Sequence, residues 1–352
     1  MADIVTRKDE HLNIVLSGAA AGTPGATGLD AVRFEHVALP EMDMDDVDVS
    51  TLFLGHELGA PLLISSMTGG VDRAAQINAN LAEAARELNI AFAVGSQRVA
   101  IDTGEMAGFD RGLREKAGNA PILANFGAAQ LKTWNGPDAA RRAVEMIGAN
   151  ALIIHVNPLQ EALQPGGDRN WSGLLGEIET LARMADLPII VKEVGAGISG
   201  VLARKLVDAG VAAVDVAGAG GTSWAAVEAK RIENLVARAA AEPFADWGIP
   251  TAYAIADARR LCPDATIIAS GGIRDGLDVA RAIRLGANLA GTAAGVLNAA
   301  LTSAEAVVEH FQGIIGALRV ACFCTGSHTL ADLKQARLIQ PGGLGSEGPG
   351  ES

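Results

Sequence analysis

Between Pro61 and Gly295 the chain repeats one pattern: a short apolar run, a tip of glycine and polar residues, then an amphipathic spacer. The runs are PLLISSMTGG from Pro61, AFAVGSQR from Ala91, PILANFG from Pro121, ALIIHVNPLQE from Ala151, PIIVKEVG from Pro188, AAVDVAGAGGTSW from Ala212 and TIIASGG from Thr266. A last short run stops at Gly291-Thr292. Apolar runs of this length bounded by turn residues read as buried strands, and the spacers read as helices, for example Arg73 to Leu88 and Asp275 to Leu285. Eight such units are the number that closes a (β/α)8 TIM barrel. The polar residues crowd the C-terminal tips of the strands, where barrel enzymes keep their sites.

The flanks read differently. Residues 1–60 are expected to form an N-terminal arm and cap. They hold a basic start at Arg7, Lys8 and His11, an unpatterned link from Ala19 to Gly28, and a small hairpin or cap around Val47 to Leu54. The barrel is expected over 61–330, and 331–352 reads as a Gly/Pro-rich tail that frays. Residues 225–265 form a longer excursion holding a charged helix and a second helix after Trp247.

Composition sharpens the class. The 352 residues are 49% hydrophobic but only 4% aromatic, with 42 Gly, which suits an aliphatic core with many tight turns. A net charge of −13 argues against a nucleic-acid surface or an anionic membrane. The chain shows neither an 18-residue apolar run nor a signal peptide, so a cytoplasmic protein is expected. Cys262, Cys322 and Cys324 make no metal-binding spacing and are expected to be buried free thiols.

Three chemical features stand out. At the ends of strands seven and eight, Ser270-Gly271-Gly272 with Arg274, and Gly291-Thr292 before small residues, read as a phosphate cup. Glycine lets backbone N–H groups approach an anion, and the following helix offers its positive end. Strand alternation then places His155 and Asn157 on one face with Ile153, and Lys192 on one face with Ile190 and Val194. Since outer faces pack under helices, these polar groups point inward near the top of the barrel. A buried lysine needs a partner: an anion, an electron-rich heterocycle, or an ion pair with Glu193 or a neighbouring strand. His155 is read either as a site residue or as a structural histidine. Glu161, a single loop carboxylate, suits Mg²⁺, which takes one or two protein oxygens together with waters and substrate phosphates.

Taken together, RKDEH near the N-terminus, SSMTGG, GSQR, ANFG, HVNPLQE, VKEVG, AGGTSW and SGGIR resemble the type 2 isopentenyl-diphosphate isomerases, in the same order over nearly the whole chain. The resemblance implies an FMN-dependent barrel that interconverts isopentenyl diphosphate and dimethylallyl diphosphate. It further implies reduced FMN and Mg²⁺ as cofactors, NADPH as reductant and a homo-oligomer, tetramer or octamer. By that resemblance Ser66, Met67, Thr68, Ser96, Asn125, Lys192 and Thr222 contact FMN, and Gly271, Gly272, Arg274, Ala293 and Ala294 hold its phosphate. Arg7, Lys8, Ser96, Gln97, Arg98 and Gln160 match substrate contacts, Glu161 matches the Mg²⁺ ligand, and Gln160, His155 and Lys192 serve catalysis. A hydroxy-acid oxidase on the same barrel would need a histidine base at the sixth strand tip, which here reads AGAGGTSW. A non-catalytic flavin or phosphate-binding barrel is the remaining alternative.

Overall fold

A computed structural model describes residues 10–66, 72–104 and 108–339. Eight parallel strands close into a barrel: β3 (Leu62–Ile64), β4 (Ala91–Ala93), β5 (Ile122–Gly127), β6 (Ala151–Val156), β7 (Ile189–Glu193), β8 (Ala213–Asp215), β9 (Thr266–Ala269) and β10 (Leu289–Thr292), with β10 pairing back onto β3. These are the eight runs of the sequence pattern.

The two faces of each strand explain the closure. Leu63, Ala91, Ala93, Leu123, Ala151, Ile153, Ile190, Ala213, Ile268 and Leu289 fill the barrel interior. The alternate residues, such as Leu62, Ile64, Leu152, Ile154, Val191 and Val214, pack outward into the larger core beneath the helices. The short hairpin β1 (Thr51–Phe53) and β2 (His56–Leu58) joins the interior cluster through Phe53 and Leu58, which pack with the lowest interior side chains. The expected cap is thus a plug for the bottom of the barrel, opposite the polar strand tips.

The helices follow the strands. Labelled in chain order, residues 10–16 form α1, followed by α2 (Asp72–Leu88), α3 (Arg98–Thr103), α4 (Gly112–Ala117), α5 (Gly136–Ile147), α6 (Pro158–Leu163), α7 (Leu174–Met184) and α8 (Gly200–Asp208). The excursion after β8 carries three helices rather than two: α9 (Trp224–Arg231), α10 (Leu235–Ala241) and α11 (Thr251–Leu261). Then come α12 (Gly276–Leu285), α13 (Leu297–Thr302), α14 (Ala304–Cys324) and α15 (Leu330–Leu333). Among the described residues α14 is long and apolar enough to cross a membrane by length and composition. It packs against α2, α12 and α13 and buries Val307, Phe311, Ile314 and Leu318, as a barrel helix does.

Two flanking expectations change. The link from Ala19 to Gly28 is held across the barrel mouth: Ala21 bridges Thr222, Ser223 N donates to Ala20 O at 2.9 Å and Ala252 N donates to Thr27 O at 2.9 Å. Glycine permits this crossing, since a Cβ on Gly22 would lie 2.6 Å from the carbonyl of Gly220. The chain past 330 does not fray at once either. α15 has a Thr329–Asp332 capping box, and Arg284 Nε donates to Ala336 O at 2.6 Å. Cys262 and Cys322 are buried free thiols, and Cys324 is half-buried.

Candidate functional site

The strand tips enclose a cavity of about 620 Å³. In register, Gly127 stands beside His155, His155 beside Lys192, and Lys192 beside Asp215. Parallel pairing therefore sets one ring of polar residues on top of the aliphatic interior. Of the residues singled out in sequence, Ser66, Ser96, Arg98, Asn125, His155, Gln160, Glu161, Lys192, Thr222, Gly271, Gly272, Arg274, Ala293 and Ala294 all line this cavity. Arg7, Lys8, Met67 and Thr68 lie outside the described residues.

Gln97 is placed elsewhere. It is fully buried, its Oε1 accepts from Asn125 N at 2.9 Å, and its Nε2 donates to Ala143 O at 2.9 Å. This side chain joins β5 to α5 and does not line the cavity. Arg274 lines the cavity but is committed: its guanidinium meets Asp278 at 2.9 Å and Asp30 at 3.0 Å, and these hydrogen bonds push it above its ordinary range. Gly271 and Gly272 both have positive φ, 100° and 74°, and a Cβ on Gly272 would lie 2.6 Å from Gly220 O.

On the opposite wall β6 and α6 build a chain of amides and carboxylates. Asn157 Nδ2 donates to Gln160 Oε1 and to Glu161 Oε1, both at 3.1 Å. Glu161 Oε2 accepts from Asp168 N at 2.7 Å, and Gln160 Nε2 donates to Glu228 Oε1 at 3.1 Å. Glu228, on α9, is fully buried and also meets His11 Nε2 at 3.0 Å and Arg231 Nη1 at 2.8 Å. Burial alone would raise its carboxyl; the bonds from His11 and Gln160 and the Arg231 charge outweigh that and hold it below its ordinary 4.5. Arg98 sits over this wall, 3.2 Å from Asp168 and 3.7 Å from Asp102.

His155 Nδ1 lies 2.8 Å from Asn125 Oδ1, and Asn125 Nδ2 donates to Ser66 Oγ at 2.7 Å. Lys192 Nζ donates to Glu193 O at 2.9 Å and Ser270 Oγ at 3.2 Å, and lies 3.3 Å from Asp215 Oδ2. Of the partners weighed for this lysine, the neighbouring strand supplies the ion pair, while its side chain still faces the cavity. Glu193 turns the other way. Its Oε2 accepts N–H groups of Val194, Gly195, Ala196 and Gly197, fixing the loop after β7, and burial pushes its carboxyl up.

Sequence reasoning missed Glu228 and Asp215, and it read Ser270 as part of the phosphate cup, whereas its hydroxyl bonds Lys192 and Asp215. Asp215 was within reach, since alternation from Ala213 turns it inward. Glu228 sits in the stretch AVEAKR, which reads as a solvated helical face, and only the packing of α9 against α6 buries it.

The cavity lining holds polar groups that a flavin would satisfy. Two buried polar atoms on its lining, Ser65 Oγ and His310 Nε2, have no hydrogen-bond partner within the described structure. Burial pushes the His310 imidazole below its ordinary range. For Mg²⁺ the fit is narrower: among the described residues no cluster of three His, Cys, Asp or Glu side chains could hold a metal, and Glu161 offers one carboxylate. One carboxylate is enough only for an ion whose remaining ligands are water and phosphate.

An eight-stranded parallel barrel whose strand tips line a polar cavity has the architecture of a barrel enzyme. The model of the FMN-dependent dehydrogenase family matches residues 131–340. A mutant mandelate oxidase with benzaldehyde superposes with a TM-score of 0.67 at 18% identity, over 96% of this chain and 98% of that one. The lactate oxidase of Pediococcus acidilactici gives 0.66 at 17%, over 95% and 93%. These two likenesses are of fold. More specific are the isopentenyl-diphosphate delta-isomerases of Stutzerimonas stutzeri, 60% identical over 96% of this chain and 97% of that protein, and of Pseudescherichia vulneris, 58% identical over 95% and 96%. The chain belongs to this family of isomerases, built on the FMN-dependent dehydrogenase barrel.

Proposed function

We propose that the chain is a type 2 isopentenyl-diphosphate delta-isomerase, interconverting isopentenyl and dimethylallyl diphosphate with reduced FMN and Mg²⁺. The observation that carries this reading is the meeting, in one cavity, of Gln160, Glu161, Arg98 and Lys192. The reaction adds a proton to the terminal alkene carbon and removes another from the allylic carbon, with no net oxidation. Its tertiary cationic character requires a dry, walled site.

Reduced FMN, when bound, supplies ring nitrogens able to hold and release a proton. The chain's residues do the rest. Glu161 would hold Mg²⁺ against the diphosphate, with Arg98 beside it supplying charge-assisted contacts. Gln160 cannot titrate as an acid, and Asn157 and Glu228 fix its amide, so it orients substrate. Lys192 would present positive charge to the flavin from the cavity floor, and Ser66, Asn125 and Thr222 would bind the ring. Arg7 and Lys8, from the N-terminal arm, would close over the diphosphate, and Met67 and Thr68 would lie along the ring. NADPH as reductant, a tetrameric or octameric assembly and a cytoplasmic setting complete the proposal.

Oxidation of a hydroxy acid would need a histidine base after β8, where the chain reads Val216 to Ser223 without one. The test is an anaerobic assay of purified protein on isopentenyl diphosphate with Mg²⁺, with FMN first reduced and then oxidised. Dimethylallyl diphosphate should form only in the reduced sample; formation of a keto acid from a hydroxy acid instead would favour the oxidase reading.

A further inference from the structure

Beneath the cavity, three strands bring together a buried lysine, a buried aspartate and a serine. Lys192 on β7 is 7% exposed and Asp215 on β8 is fully buried, their charges 3.3 Å apart. Ser270, just past β9, joins them: Lys192 Nζ donates to its Oγ at 3.2 Å, and its hydroxyl donates to Asp215 Oδ1 at 2.6 Å. Ala217 N adds a 3.2 Å bond to the same oxygen. Asp215 Oδ2 accepts no hydrogen bond within the described structure, so Lys192 is what balances it.

The arrangement is asymmetric. Lys192 and Ser270 line the cavity, whereas Asp215 stands behind them and does not. A carboxylate there cannot touch a ligand, yet at this distance and burial it cancels much of the field that the ammonium would project. A buried ion pair of this kind is poor evidence of a stability role, since desolvation offsets most of the attraction.

We propose that Asp215 is a positioning residue acting through Lys192: it sets how much positive charge the cavity floor presents to the flavin, keeping the ring electron-rich. This rests on the reading that the cavity binds FMN. A lone cation near the ring favours its reduced, anionic form and makes the oxidised form a better electron acceptor, which suits hydride-taking chemistry. An isomerisation without net oxidation asks instead for a ring that takes and returns protons. Pairing Lys192 with Asp215 retains the lysine for binding while restraining its field.

The test is the midpoint potential of bound FMN, measured anaerobically against reference dyes in the holoenzyme. In Asp215→Asn the preference for the reduced form should rise about tenfold, or ~30 mV for a two-electron couple. Lys192→Met should lower the potential, since it removes the cation whose field the carboxylate restrains. An unchanged or lowered potential in Asp215→Asn, or an unchanged potential in Lys192→Met, overturns the proposal. Should Asp215→Asn fail to fold, Asp215→Ser, smaller and also neutral, carries the same two outcomes. Failure of the unaltered protein to take up FMN is a separate result: it removes the cofactor reading, and this inference with it.

Discussion

Gln160 and Glu228, sixty-eight positions apart, are joined by a 3.1 Å hydrogen bond that ties α6 to α9 at the rim of the cavity. The bond orients an amide that also accepts from Asn157. Because Glu228 meets His11 and Arg231 as well, it links the N-terminal helix α1 to the wall on which substrate would sit. Removing its charge leaves Arg231 and His11 facing a neutral amide. Glu228→Gln should lower kcat/KM about tenfold or more, the cost of unbalancing buried charged groups, with FMN content little changed. Steady-state kinetics and flavin absorbance check both halves.

The same carboxylate predicts a pH dependence. Its folded-state value lies below the ordinary 4.5, so its stabilisation is complete above 4.5 and is lost as acid titrates it through the lower, folded value. Urea midpoints taken from pH 6 down to pH 3 should fall for the unaltered protein. For Glu228→Gln the fall should be shallower, so the two curves converge in acid.

Arg98 is half-exposed and shared between Asp168 and Asp102, so its charge is available to a stronger anion. Arg98→Ala should raise KM for the diphosphate by about tenfold to a hundredfold, matching ~1.5–3 kcal/mol for a charged hydrogen bond. Bound FMN should stay at its normal level. A loss of flavin instead would move Arg98 to the cofactor side of the cavity.

Gly22 packs backbone to backbone on Gly220 and Gly221, where an added Cβ would come within 2.6 to 2.7 Å. Gly22→Ala must therefore displace the strand that crosses the mouth. Overpacking of this kind costs about 1–3 kcal/mol. A lowered Tm together with weaker FMN retention is expected, and differential scanning calorimetry with a flavin-release assay reads both.

The barrel was legible in the sequence because each strand must bury two faces, which leaves a continuous apolar run, and because its polar residues gather at the tip. Period-two alternation placed Lys192 and His155 correctly inside the ring. The rest required tertiary contacts. Gln97, in GSQR, has the composition of a site residue, but its amide satisfies backbone groups of β5 and α5. Arg274 follows the glycines as a phosphate ligand would, but Asp278, one helical turn on, and Asp30, far off in the chain, hold it. The link from Ala19 to Gly28 reads as loose because glycine-rich segments carry no periodicity, and its order comes from the backbone surface it lies on.

The central claim is that the chain moves a double bond by way of a reduced flavin rather than by a titrating side chain. The most direct measurement replaces FMN with its 5-deaza analogue, which fills the same cavity with carbon in place of the ring nitrogen at position 5. Under anaerobic reducing conditions with Mg²⁺, the account predicts normal uptake of the analogue and no conversion of isopentenyl diphosphate. Conversion at a rate comparable to that with FMN would contradict it.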